Sequence, residues 1–115
     1  MGQHRRLEQS QRRTAMYTKQ DWQQLKAEAD DGLHALRDAM RSGSPPDSDA
    51  AQSRAEQHRL FLTRWFYDCN YTMHRGLAGT DVADERLRAT YDLVAPGLTQ
   101  YVHGAINANA TACGG

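Results

Sequence analysis

No stretch of this chain approaches the roughly 18 consecutive apolar residues of a membrane span. The opening residues, MGQHRRLEQSQRR, also lack the apolar segment of a signal peptide. Gly2 follows Met1, but Arg6 stands where a myristoylation motif carries Ser or Thr. Cysteine is scarce: Cys69 and Cys113 are the only two, in no CxxC pair. Without an export signal they are expected to be free thiols in a reducing cytosol. Neither charge sign is in excess, because 14 Lys and Arg balance 14 Asp and Glu. The chain therefore lacks the basic face that a DNA duplex requires. The expectation is a cytoplasmic protein with neither membrane nor nucleic acid as a partner.

Apolar residues are also few, at 39% of the chain, with a mean hydropathy of −0.81. A chain of 115 residues makes one domain with a shallow core, so its apolar positions have to be well placed. The charge balance is uneven: residues 1–16 carry four arginines (5, 6, 12 and 13) against Glu8, which leaves a net −3 on the remainder. The first 16 residues are read as a flexible basic segment.

What is present is helical periodicity without any alternating strand pattern. Trp22, Leu25, Ala29, Leu33, Leu36 and Met40 form one stripe of a helix expected over about Lys19–Ser42. Thr18 and Asp21 form a capping box at its start, and Gly43 with Pro45 and Pro46 ends it. Ser48 or Asp49 caps a second helix with the stripe Ala51, Ala55, His58, Leu62, Trp65 and Cys69. Leu60, Phe61 and Phe66 widen that stripe, so this helix is expected at the centre of the fold. Residues 71–77 form a short helix or a bent continuation that stops near GLAGT. Thr80 or Asp81 is then expected to cap a helix carrying Val82, Leu87, Tyr91 and Val94. A last helix opens at Pro96 and carries Leu98, Tyr101, Val102, Ala105 and Ile106, with NANATACGG as a fraying tail.

The chemistry concentrates in WFYDCNYTMHRG, Trp65 to Gly76. A metal site is not expected, because the five histidines include no pair at helical ligand spacing. Cys69 has no evident activating partner: on a continuous helix His58 lies about 16 Å away, and Asp68 next to it disfavours a thiolate. His58, in the middle of an apolar stripe, reads as a satisfied core residue or as a ligand contact. No phosphate loop or nucleophile elbow occurs, and an enzyme is not expected. Pattern alone leaves the aromatic cluster as either core or cleft wall.

Five stretches occur in order: TAMYTKQDWQQL, AEQHR, YDCNYTMHRG, DERLRATYDLVAPGL and YVHGAINANA. Together they resemble the TipAS antibiotic-recognition domain of TipA-type regulators in the MerR family, over about Glu8 to Ala110. The resemblance implies an all-α, globin-like bundle of about five helices. Its cleft would bind thiopeptides such as thiostrepton, which are sulfur-rich, largely apolar macrocycles. In the regulators a DNA-binding head and a coiled coil precede this domain, and a short form without them sequesters the antibiotic. This chain is similar to the short form. No cofactor is implied, and a monomer is expected, with self-association as the alternative. Residues 1–16 would act as a lid, with Leu7 and Met16 contributing, residues 17–110 as the binding domain and residues 111–115 as a tail.

The implied ligand contacts are His58, Leu62, Trp65, Phe66, Cys69, Tyr71, Met73 and His74, with Tyr91 and Tyr101 on the opposite wall. The family motif D-C-x-Y-x-M-H-x-C is associated with covalent capture, in which a thiol adds to a dehydroalanine of the antibiotic. Asp68, Cys69, Tyr71, Met73 and His74 match it, but Gly76 occupies the second cysteine position. Binding is therefore expected to be reversible. The rival readings are another bulky planar drug, such as an albicidin-like compound, and an interaction or sensor module derived from a MerR-type regulator.

Overall fold

The computed structural model describes residues 2–114, with side chains from residue 7 onward. The side chains of Arg5 and Arg6, part of the basic segment, lie outside the described residues. Six helices follow one another: α1 (Gly2–Thr14), α2 (Lys19–Arg41), α3 (Asp49–Trp65), α4 (Tyr71–Ala83), α5 (Glu85–Val94) and α6 (Leu98–Ala112). The sixth, beyond the five expected, is α1.

Local chemistry sets most of the boundaries. The capping box of α2 is formed: Thr18 Oγ1 accepts from the Asp21 N–H at 3.2 Å and Asp21 Oδ2 from the Thr18 N–H at 3.0 Å. Its other end closes with Gly43 at φ +84. The Ser44 N–H reaches the Ala39 carbonyl, and the Gly43 N–H that of Met40. This paired closure needs a left-handed residue, which glycine supplies at no steric cost. Ser48 caps α3 and Asn70 caps α4.

Four boundaries differ from expectation. The α3 helix stops at Trp65, so Cys69 sits in the following loop and does not continue the stripe. The α4 helix runs unbroken through GLAGT: Thr80 turns its hydroxyl back to the Gly76 carbonyl, and Asp81 lies buried within the helix. The cap of α5 is Asp84, whose Oδ1 accepts from the N–H groups of Arg86 and Leu87. The expected tail is largely helix, with Asn109 and Ala110 buried in α6.

The centre of the fold is α6, not α3. Eight α6 residues are buried against four on α3. Leu98, Val102, Ala105 and Ile106 meet Leu36, Ala51, Ala55, Ala78 and Ala95. Alanine on the facing helices lets the backbones approach, which explains how so polar a chain closes a core. The loop before α3 approaches just as closely: a Cβ on Gly104 would lie 2.9 Å from that of Pro46. A second, smaller cluster of Leu62, Tyr67 and Cys69 is packed by Phe61, Phe66, Met73 and Leu77.

The α1 helix is held at the end of α3 by polar contacts. Arg13 pairs with Asp68 at 2.8 Å and donates to the Thr63 carbonyl, while Gln9 Oε1 accepts from the Asp68 N–H. The Tyr17 hydroxyl donates to the Trp65 carbonyl, and its ring meets Trp65 and Trp22 edge-on. Leu7 and Met16, at 58% and 82% exposure, face outward.

Candidate functional site

The α2 and α3 helices diverge enough to leave a cleft between them. Its outer lobe, about 460 Å³, is lined by Glu28, Ala29, Asp31, Gly32 and Ala35 from α2. The α3 wall of that lobe is Arg54, Gln57, His58, Leu60, Phe61 and Arg64. An inner lobe of about 290 Å³ shares Ala29, His58 and Phe61 with it and adds Asp30, Leu33 and Leu36. Asp81, Leu87, Thr90, Tyr91 and Val102 close it from α4, α5 and α6. Apolar walls with a few converging polar groups are what a drug-sized ligand requires.

The polar group common to both lobes is His58. Its Nδ1 lies 2.8 Å from His74 Nε2 on α4, and the two rings are tilted by 31°. His74 is fully buried, and its Nδ1 has no partner among the described residues. A buried N–H without a partner is a rarer event than an under-used acceptor, so the bare lone pair belongs on His74 Nδ1 and the proton on Nε2. His74 then donates to His58 Nδ1, and His58 keeps its own proton on Nε2. The cleft is thereby given a hydrogen-bond donor. Burial pushes the His58 pKa down to about 4. Burial first, then the facing His58 and Arg59, pushes that of His74 to about 3. Both rings are neutral at pH 7.

Other predicted residues support the cleft without lining it. Trp65 donates Nε1–H to Glu28 Oε1 at 2.9 Å, and Arg64 lies 3.3 Å from the other oxygen, which fixes one end of the outer lobe. Phe66 packs edge-on against Phe61 with centroids 6.1 Å apart. The Tyr71 hydroxyl donates to Glu56, while Arg59 stacks over its ring at 4.3 Å. Arg59, followed by Asn109 and Tyr71, holds the Glu56 carboxyl down at about 2 against its partial burial. That network joins α3, α4 and α6 below the histidine pair.

Of the ten predicted contacts, His58 and Tyr91 line the cleft. Leu62, Cys69 and Met73 belong to the second cluster. Tyr101 lies in the main core, its hydroxyl donating to the Ser44 carbonyl at 2.7 Å. Cys69 is buried, and neither cysteine is in a disulfide. The sequence reading did not single out Phe61, Leu33, Leu36 or Asp81 for the site. The two leucines were indistinguishable from core in their stripe, and Asp81 resembled a helix cap. No group of three or more His, Cys, Asp or Glu side chains fit to hold a metal ion occurs among the described residues. No helix among them is long and apolar enough to cross a membrane.

Comparison with known proteins places this geometry in context. Residues 2–109 match the TipAS antibiotic-recognition domain. The HTH-type transcriptional activator TipA of Streptomyces coelicolor is 44% identical over 102 residues, 89% of this chain and 40% of the relative. The HTH-type transcriptional regulator SkgA of Caulobacter vibrioides is 30% identical over 92% of this chain and 42% of its own length. The chain thus spans about two-fifths of the curated relatives it matches. Among solved structures, TipAS of Streptomyces lividans in complex with nosiheptide superposes with a TM-score of 0.87 at 42% identity, over 93% of this chain and 75% of that one. The antibiotic-binding domain of a TipA-class multidrug resistance transcriptional regulator gives 0.74 at 40% identity, covering 80% and 98%. The all-helical bundle is that of the TipAS structures, and the chain belongs to the TipAS antibiotic-recognition family.

Proposed function

We propose that this chain binds thiopeptide antibiotics in the α2–α3 cleft, without catalysis and reversibly, and so removes them from solution. The observation that carries this reading is the two-lobed apolar cleft with His58 at its shared wall, in a fold whose relative holds nosiheptide. Thiopeptides are rich in azole nitrogens and amide carbonyls, which are acceptors for the His58 Nε2–H. Reversibility rests on the two thiol positions of the motif. Cys69 is buried in the second cluster and lines neither lobe of the cleft. Gly76, at the other position, carries no thiol.

Calorimetric titration of nosiheptide, followed by intact mass of the denatured sample, tests the reading. Submicromolar 1:1 binding with an unshifted mass is expected. A shifted mass would mean that Cys69 or Cys113 captures the ligand. No heat would move the function to another planar drug or to a protein partner. A Cβ at Gly76 would meet nothing within 4 Å, so Gly76→Cys is expected to fold and to gain a mass increment of one antibiotic. An unmodified Gly76→Cys would show that the missing thiol is not what makes binding reversible.

A further inference from the structure

The inner lobe is bordered by a buried carboxyl group that no cation faces among the described residues. Asp81 is 7% exposed, near the end of α4, and it faces a cavity whose other walls include Leu33, Leu36, Phe61, Leu87 and Val102. Its side-chain partner is the Tyr91 hydroxyl, and the other charge acting on it, Asp84, has the same sign. No Lys or Arg forms an ion pair with it among the described residues. Burying a carboxylate without a cation is costly. Asp81 caps no helix, and open volume lies beside it.

We propose that the inner lobe is a subsite for flat, apolar ligands bearing a protonated amine, with Asp81 as the counter-ion and Tyr91 as the residue that positions it. This rests on the reading of the cleft as a drug site and adds a ligand class to it. A cavity of about 290 Å³ suits a fused-ring system, whereas a macrocycle needs the outer lobe as well. The two lobes then make opposite demands. His58 offers a donor to an acceptor, and Asp81 offers an acceptor to a charged donor. A ligand cation near Asp81 gains attraction in a partly desolvated site where solvent screens little.

The test compares 9-aminoacridine, a flat cation at neutral pH, with acridine, the same ring uncharged, by fluorescence titration of the full chain. The cation is expected to bind at least about tenfold more tightly, as one charge pair in a partly buried site implies. Asp81→Asn is expected to abolish that preference while leaving acridine affinity and the far-ultraviolet circular dichroism unchanged. Equal affinities, no binding of either probe, or a preference that survives Asp81→Asn each overturns the proposal. The wild-type comparison stands even if the variant fails to fold. Nosiheptide titrated in parallel separates the two readings. Nosiheptide binding without acridine binding sinks only the subsite, and the reverse sinks only the thiopeptide reading.

Discussion

His58 and His74 are sixteen positions apart, on different helices, and share one hydrogen bond of 2.8 Å. No spacing rule finds such a pair, because the contact exists only once α3 and α4 are packed. Its consequence for stability has a definite sign. Each ring titrates near 6.5 when solvated and lower when folded, at about 4 for His58 and about 3 for His74. Between those limits the unfolded chain binds more protons, so stability is complete above pH 6.5 and is lost as pH falls toward 4 and then 3. Glu56 acts in the same direction at lower pH: its contribution is present above 4.5 and lost toward 2. The histidine pair is expected to cost the fold about 6 kcal/mol by pH 4, about 3 from each ring. Ring ¹⁵N shifts recorded through the titration measure both protonation steps. They also report which nitrogen carries the proton at neutral pH, expected to be Nε2 in each ring. A pair titrating near 6.5 would show that the rings are solvated, and the donor assigned to the cleft would go with them.

At the scale of elements, α5 is the weakly held member. None of its residues is buried, yet it supplies Leu87, Thr90 and Tyr91 to the inner lobe. Tyr91 and Val94 pack against the main core from one side, and polar contacts hold its ends. Asp84 caps its start, and Asp92 accepts from the Thr99 N–H at 3.1 Å. Replacing Asp84 with Ala removes the acceptor for two orphan N–H groups and is expected to cost about 1 kcal/mol. Chemical denaturation of the variant checks this. An unchanged midpoint would mean that solvent caps α5 equally well. The expected cap at Thr80 or Asp81 fails because tertiary packing overrides local propensity. Helical contacts to α6 continue through Ala78, so Gly79 and Thr80 stay in register despite their low propensity.

For the whole molecule, the arrangement is a core built on α6 with α1 attached at its edge. The α1 helix touches the end of α3 through Arg13 and Gln9, and its apolar Leu7 is exposed. A helix this polar and short draws little stability from its own backbone. We expect its amides to exchange quickly in the free protein and to become protected when nosiheptide binds, with Leu7 and Met16 covering the ligand. Hydrogen exchange by mass spectrometry of residues 2–16 measures this. Equal exchange with and without nosiheptide would remove the lid from the reading.

The sequence by itself determined the α2 and α3 helices and the family. Stripe spacing placed α2 and α3, the Thr18–Asp21 box and Ser48 fixed their starts, and the ordered motifs from TAMYTKQDW to YVHGAINANA carried the TipAS resemblance. Those signals are local, and local backbone chemistry answers to them. Which apolar residues became core and which became cleft was decided only by the packing. Leu36 and Phe61 have the same sequence signature as Leu62 and Tyr101, yet the former pair borders the cavity and the latter pair does not. The difference arises where Ala29 and Gly32 line the space between α2 and α3, because such small side chains leave it unfilled. It is also why the His58–His74 contact and the burial of the Asp81 carboxyl became visible only in three dimensions.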